Sequence, residues 1–270
     1  MLKQRILTAL ILIPLFVWLV LKLSIVAFFV LTTVIIMAGA FEWSGFMGMT
    51  NLKLRFIYPI LILVLAIGSL ILPIQTVLFA ATFWWLIALL LILFYPKGKD
   101  QWGKGKVWRG LMGVFVLVPC WLAINVLHSA EDNGPYLVLF LFVLIWGADI
   151  AAFFVGKKWG KHKLAPVVSP GKSWEGCMGA LFITTLIAVG ALMALRVPMG
   201  DWIKFLVLVW ITLIFSIIGD LFESILKRNV GLKDSGQLLP GHGGLLDRID
   251  SLTAAAPIFA LGALWLGNGF

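Results

Sequence analysis

Residues 74–94 are IQTVLFAATFWWLIALLLILF, a run of 21 residues without a charged side chain. A helix that crosses a bilayer needs about 20 consecutive, mostly apolar residues, so this run is long enough to span a membrane. Similar runs recur along the chain, which is 62% hydrophobic and 12% charged. In a typical soluble domain about 25% of the residues are charged. The sequence therefore predicts an all-α polytopic membrane protein.

The apolar runs define the predicted spans and the domain organisation. By length they predict about nine transmembrane helices, at Ile6–Leu21, Leu23–Phe41, Phe56–Leu72, Ile74–Phe94, Val107–Leu127, Tyr136–Val155, Trp174–Val197, Ile203–Phe222 and Ser251–Leu266. We expect the first run to be an uncleaved span, because the first small-residue cleavage motif lies beyond the second run. We treat residues 1–270 as a single transmembrane domain, with N-terminal helices at 1–135 and a catalytic C-terminal half at 136–270.

The basic residues indicate how these spans are oriented. With the N-terminus in the cytoplasm, 18 of the 21 lysines and arginines fall in cytoplasmic segments, and only Lys22, Arg196 and Lys204 fall on the opposite side. Cytoplasmic loops collect Lys and Arg, so topology explains the net charge of +9 without a nucleic-acid partner. We therefore expect a bacterial-type cytoplasmic (inner) membrane, a cytoplasmic N-terminus and a C-terminus on the opposite side.

Two groups of polar residues near the predicted cytoplasmic surface are not explained by topology. Asp149 lies near the end of the sixth span, where a carboxylate at membrane depth usually marks a functional site. Residues 169–173, SPGKS, predict a tight turn before a helix start, where backbone N–H groups and Lys172 suit a phosphate. The alternatives are a helix-end Asp that reaches water and a basic loop that contacts anionic lipid headgroups.

A third group, residues 219–250, carries the densest charge: GDLFESILKRNVGLKDSGQLLPGHGGLLDRID. Its first polar residues follow a spacing of i, i+3, i+4 and i+7, which places them on one helix face: Asp220, Glu223, Ser224 and Lys227. Asp247 and Asp250 begin the next span with the same i, i+3 spacing. Carboxylates beside lysine and arginine suit a magnesium–phosphate site, in which carboxylates and substrate oxygens share the metal. The alternative is an ion-pair network that joins two helices.

The same stretch resembles the signature of the CDP-diacylglycerol synthase family, also called phosphatidate cytidylyltransferase. The resemblance rests on SILKR at residues 224–228, KDSG at 233–236 and LPGHGGLLDRID at 239–250. It extends to GKHKLAP at 160–166 and SPGKSWEG at 169–176. The chain departs from the family pattern after Asp149, where Ile150-Ala-Ala-Phe153 replaces Ser/Thr-Gly-Ala-Tyr.

The resemblance implies that CTP and phosphatidic acid react to give CDP-diacylglycerol and pyrophosphate in phospholipid biosynthesis, by direct metal-assisted attack of the lipid phosphate on the CTP α-phosphate. It implies a magnesium ion (Mg2+) held by Asp220 and Asp247, with a second metal ion left open. Together with the residue patterns it assigns catalytic roles to Asp220, Asp247, Asp149, Lys227 and Arg248. It likewise assigns substrate contacts to Lys172, Ser173, Ser224, Arg228, Lys233, His242, Gly243, Gly244 and Asp250.

We therefore expect CTP, phosphatidic acid and the lipid bilayer as partners, no nucleic acid, and an active site that faces the cytoplasm. A homodimer is one oligomeric state that the sequence allows. Two alternative functions stay open. A CTP-dependent lipid kinase, such as a polyprenol kinase, would use the same nucleotide but release CDP. A membrane transporter would need polar residues at mid-membrane in several spans and on both sides, whereas the opposite half of this chain is nearly bare.

Overall fold

The computed structural model describes residues 13–98, 105–131, 133–236, 238 and 243–267, which form a bundle of helices. The helices are α1 (Ile13–Lys22), α2 (Ile25–Phe46), α3 (Leu52–Arg55), α4 (Ile57–Ser69), α5 (Ile74–Gly98), α6 (Lys106–His128), α7 (Gly134–Trp159), α8 (Trp174–Ala194), α9 (Met199–Asn229) and α10 (Leu246–Leu266). Two short strands, β1 (Lys163–Ala165) and β2 (Ser169–Ser173), form an antiparallel hairpin between α7 and α8.

The described helices confirm the predicted all-α polytopic membrane fold. Eight segments in this part of the chain are long and apolar enough to cross a membrane, with α3 and α4 counted together as Leu52–Ser69. The shorter apolar helix α1 precedes them and covers residues 13–21 of the first predicted span, whose residues 6–12 lie outside the described part of the chain. Large apolar side chains cover the outside of the bundle, and Ile71 is 87% exposed. Such a surface would be unfavourable in water and is suited to lipid.

The helices differ from the predicted spans mainly at their polar ends. Helix α9 continues to Asn229, seven residues beyond the predicted end at Phe222, and α10 begins at Leu246 instead of Ser251. The prediction followed the apolar runs, whereas backbone hydrogen bonding continues for as long as helical geometry is kept. These extensions place the charged residues of segment 219–250 on regular helices at one end of the bundle.

The hairpin corrects the prediction for residues 169–173. This segment is strand β2 and not a tight turn, and the turn lies at residues 166–168. Lys163 pairs with Ser173 and Ala165 with Ser169. The predicted helix start is confirmed, because α8 begins at Trp174 and the Gly176 N–H donates to Ser173 Oγ at 3.2 Å, as in an N-cap.

Small residues bring α9 and α10 together at the level of the charged segment. A Cβ at Gly219 would lie 2.6 Å from the Asp250 carbonyl oxygen and 3.1 Å from Ala254 Cβ, so no larger side chain fits there. After Asp250, α10 continues with a buried run of small residues that includes Ala254, Ala255 and Ala256. Close approach of backbones through small residues is the usual way in which membrane helices pack. It sets the spacing of the two helices that carry most of the charged side chains.

Candidate active site

The candidate site lies where the last turns of α9, the first turns of α10 and strand β2 meet. Its lysines and carboxylates form two pairs. Lys172 Nζ on β2 lies 2.5 Å from Asp220 Oδ2 on α9. Lys227 Nζ on α9 lies 2.7 Å from Asp247 Oδ1 on α10. The structure therefore brings together residues from two of the three predicted polar groups, and each predicted metal ligand is paired with its own lysine.

Lys227 joins the two helices. It is 8% exposed, and its Nζ also lies 3.2 Å from Glu223 Oε1, one turn earlier on α9. Glu223 is 3% exposed. Burial of a charged group is costly unless it has an oppositely charged partner, so these three side chains depend on one another. The predicted i, i+4 spacing of Glu223 and Lys227 is the local cause of this arrangement.

Both carboxylate oxygens of Asp247 accept hydrogen bonds. Oδ1 contacts Lys227, and Oδ2 accepts hydrogen bonds from the N–H groups of Ser235 and Gly244, each at 2.9 Å. Gly243 has a φ of +84°, a conformation that favours glycine, and a Cβ there would lie 3.0 Å from Asp247 Oδ2. Lys227, Ser235 and Gly244 therefore fix the orientation of the Asp247 carboxylate.

Asp220 links the hairpin side of the site to α7. The Ser224 hydroxyl donates to Asp220 Oδ1 at 3.3 Å, which leaves Oδ2 for Lys172. Asp149, ten residues before the end of α7, interacts electrostatically with both Asp220 and Lys172. Of the three positions that depart from the family pattern, Ile150 and Phe153 are exposed and Ala151 is buried.

Asp250 adds a further carboxylate, and it interacts electrostatically with Asp220, Glu223 and Lys227. Five carboxylates therefore surround the two paired lysines. Among the described residues, no three His, Cys, Asp or Glu side chains are arranged to hold a metal ion by protein ligands alone. Hard carboxylate oxygens in excess over cations nevertheless fit a magnesium ion that takes its other ligands from substrate phosphate oxygens.

The other predicted substrate-binding residues differ in their surroundings. Arg228, Lys233 and Arg248 are exposed near the two ion pairs. Ser173 is buried and caps α8, and Gly244 donates its N–H to Asp247, so both have structural roles here. His242 lies outside the described residues. Substrate contacts for all of these residues stay predictions.

Glu42 is a site residue that the sequence did not predict. It lies on α2, is 1% exposed, and accepts hydrogen bonds from Leu245 N–H, Leu246 N–H and the Ser235 hydroxyl, each at 2.9 Å. The available signal was a lone carboxylate directly after the apolar run 23–41. Ionisable residues at membrane depth are usually functional, which holds for Glu42 as it does for Asp149.

Comparison with known proteins shows similarity along nearly the whole chain. Residues 3–265 match the family model described as the Cytidylyltransferase family. A phosphatidate cytidylyltransferase of Pseudomonas aeruginosa is 43% identical over 269 residues, which cover 98% of this chain and 97% of that protein. A phosphatidate cytidylyltransferase of Haemophilus influenzae is 37% identical over 281 residues, which cover 96% of this chain and 98% of that protein. The similarity therefore includes both the apolar N-terminal helices and the charged cluster.

Proposed function

The chain belongs to the cytidylyltransferase family, and from this membership we propose that it is a phosphatidate cytidylyltransferase. It converts CTP and phosphatidic acid to CDP-diacylglycerol and pyrophosphate. The family resemblance predicted from the sequence motifs is confirmed by the family match and by the two full-length relatives. Their shared name favours cytidylyl transfer over the lipid kinase and transporter alternatives.

The structural observation that supports this proposal is an apolar cavity whose lining includes sequence neighbours of the charged cluster. The cavity has a volume of about 640 Å3, and its walls come from α5, the β1–β2 hairpin, α8 and α9. Its lining adjoins the Lys172–Asp220 pair along the chain, because Leu221 follows Asp220 and Trp174 lies two residues after Lys172. A phosphatidate molecule would match both regions, with its charged phosphate headgroup at the ion pair and its apolar acyl chains in the cavity.

The reaction joins two anionic substrates. An oxygen of the phosphatidate phosphate attacks the α-phosphorus of CTP, the bond from this phosphorus to the bridging oxygen of the β-phosphate breaks, and pyrophosphate leaves. Repulsion between the phosphates opposes this approach, so catalysis requires positive charge fixed in advance. Lys172 at the cavity edge is placed to compensate the lipid phosphate. The exposed Arg228 and Lys233 are placed to compensate the departing pyrophosphate.

We propose Asp220 and Asp247 as the magnesium ligands, with a second metal ion left open. A bound magnesium ion supplies charge neutralisation at the phosphate oxygens. The contribution of the chain is to hold the two carboxylates ready. Lys227 and the N–H groups of Ser235 and Gly244 fix Asp247, and Ser224 and Lys172 fix Asp220.

The proposed setting is a bacterial-type cytoplasmic membrane with the active site facing the cytoplasm. The exposed lysines 157, 158, 161 and 163 lie at the α7–hairpin end of the bundle, next to the charged cluster. An excess of lysine supports a cytoplasmic location for this end. CTP would arrive from the cytoplasm and phosphatidic acid laterally from the bilayer. A homodimer stays a prediction.

We expect purified protein to release pyrophosphate from CTP only when both phosphatidic acid and magnesium are present. The product is CDP-diacylglycerol, formed in equal amount to pyrophosphate. Chelation of divalent ions with EDTA should abolish release, because the negative charge of the substrate phosphates would then lack the magnesium ion that neutralises it. Added magnesium should restore release. Release of CDP together with a phosphorylated lipid would instead identify a lipid kinase. Activity that survives EDTA would contradict the magnesium assignment.

We expect a bulky residue in the apolar cavity to change acyl-chain preference. In Cys177→Trp, the indole would occupy space beside α9, so kcat/KM for a long-chain phosphatidate should fall about 10-fold relative to a dioctanoyl phosphatidate. The measurement is the ratio of kcat/KM for the two lipids. Met193→Trp, on the lipid-facing surface of α8 and outside the cavity, is the matched control. Equal losses for both lipids would show that the cavity does not hold the acyl chains.

A further inference from the structure

We propose that Glu42 is a positioning residue for Asp247, through which the N-terminal helices set the geometry of the active site. The inference rests on the proposed function, because it concerns the orientation of a proposed catalytic carboxylate. It is carried by three features of the described residues. These are the way in which Glu42 completes the start of α10, its link to Asp247 through Ser235, and the close fit of two glycines around it.

Glu42 supplies hydrogen-bond acceptors that the start of α10 lacks. The first N–H groups of a helix have no partners within the helix and usually bond to the side chain of the N-cap residue. In α10 the N-cap residue is Leu245, which has no polar side-chain atom. Glu42 Oε1 and Oε2 instead accept from the N–H groups of Leu245 and Leu246, each at 2.9 Å. A carboxylate at this end of a helix is also favoured by the helix dipole.

Ser235 connects Glu42 to Asp247. Its Oγ lies 2.9 Å from Glu42 Oε2 and 3.1 Å from Asp247 Oδ2. A hydroxyl has one hydrogen, so it can donate to only one of these two carboxylates at a time. Donation to Glu42 leaves Asp247 Oδ2 with its two backbone N–H donors, Ser235 and Gly244. Loss of Glu42 would turn the hydroxyl onto Asp247.

Two glycines of the segment before α10 close tightly around Glu42. A Cβ at Gly236 would lie 2.8 Å from Glu42 Cδ, and a Cβ at Gly244 would lie 2.6 Å from Glu42 Oε2. Neither position has room for a larger residue while Glu42 keeps its place. Gly236 and Gly244 belong to the stretches that resemble the family signature. In this chain they hold the Glu42 carboxylate against the backbone.

The end of α2 that carries Glu42 is itself fixed by two arginines. Arg55 Nη2 donates to the Phe41 carbonyl at 3.0 Å, and Arg109 Nη1 donates to the Phe46 carbonyl at 2.9 Å. Cations at the carboxyl end of a helix satisfy its last carbonyls and complement its dipole. Glu42 is therefore presented by a rigid helix end, as a positioning role requires.

The test is Glu42→Gln, which keeps the size of the side chain but replaces one acceptor oxygen with an NH2 group that would face a backbone N–H. We expect kcat for pyrophosphate release to fall about 10- to 100-fold, as charge-assisted hydrogen bonds are lost, with KM for CTP changed by less than about 3-fold. Ser235→Ala in the Glu42→Gln background should add little further loss, because both changes break the same link. Glu42→Asp should restore part of kcat.

A second readout does not depend on turnover. Amide hydrogen exchange across residues 243–247 should become about 10-fold faster in Glu42→Gln, because the N–H groups of Leu245 and Leu246 lose one of their two acceptor oxygens. Tyr58→Phe is the control, since it removes a buried 2.7 Å hydrogen bond to the Gly110 carbonyl among the same N-terminal helices without touching Asp247. This control should keep kcat.

The inference would be overturned by unchanged exchange at residues 243–247, by kcat within about 2-fold of the parent in Glu42→Gln, or by fully additive losses with Ser235→Ala. An equal loss of kcat in Tyr58→Phe would also overturn it, because the effect would then be general destabilisation. If the unaltered protein releases no pyrophosphate, the proposed function fails. The exchange experiment would still decide whether Glu42 holds the start of α10.

Discussion

Asp247→Ala is expected to lower the rate of pyrophosphate release by at least about 1,000-fold, because it removes a proposed metal ligand and the partner of Lys227. The protein should still fold and insert. Lys227 keeps Glu223 as a partner at 3.2 Å, so no buried cation is left alone. The measurement is pyrophosphate release by purified protein, together with a thermal unfolding curve in detergent to establish that the variant is folded.

Asp201→Ala is the matched control for this prediction. Asp201 is a half-buried aspartate paired with the exposed Lys204 at 2.8 Å in the first turn of α9, at the opposite end of that helix from the charged cluster. Its loss should change the rate by less than about 2-fold, since exposed ion pairs contribute little. Asp247→Asn separates charge from shape, and we expect a loss close to that of alanine. Near-normal release by folded Asp247→Ala would remove Asp247 from the mechanism.

The sequence was sufficient for the fold because membrane spans depend on length and composition alone. Apolar runs of about 20 residues mark helices irrespective of their partners, since the backbone must satisfy its hydrogen bonds internally in lipid. The predicted ends of the spans were less accurate for the same reason, because composition changes before the helix stops. The last turns of α9, up to Asn229, interrupt the apolar run with charged residues, yet they continue the helix.

The strand β2 could not be predicted from its own residues. Pro170 and Gly171 favour a turn, and this expectation was wrong because the segment pairs with β1 instead. In a two-stranded hairpin each strand has an unpaired edge, so a proline without an N–H donor is tolerated when it faces outward. The pairing depends on β1, which the local pattern of residues 169–173 does not contain.

The charged residues of α9 were predicted to share one face, and the structure divides that face between two partners. Asp220 faces Lys172 on the hairpin, whereas Glu223 and Lys227 face Asp247 on α10. Helical spacing within one segment can be read from sequence, but the choice of partner depends on tertiary packing. Glu42 is the extreme case. It lies 193 residues before Ser235, and no local pattern relates the two.

Lys227→Met is expected to affect both stability and turnover. The change would leave Glu223 and Asp247 as buried carboxylates without their shared cation, and breaking a buried pair typically costs about 3–5 kcal/mol. We therefore expect a clear drop in unfolding temperature in detergent. We also expect pyrophosphate release to fall at least about 100-fold, because Asp247 loses the donor that orients its Oδ1.

The double variant Lys227→Met with Glu223→Gln separates these two effects. It removes one buried negative charge together with the positive charge, so much of the lost stability should return. Turnover should stay low, because the amide cannot replace the Lys227 contact with Asp247. Lys204→Met, which removes an exposed lysine, should change neither quantity. Recovery of turnover in the double variant would mean that Lys227 only neutralises Glu223, and orientation of Asp247 would then have to come from Ser235 and Gly244 alone.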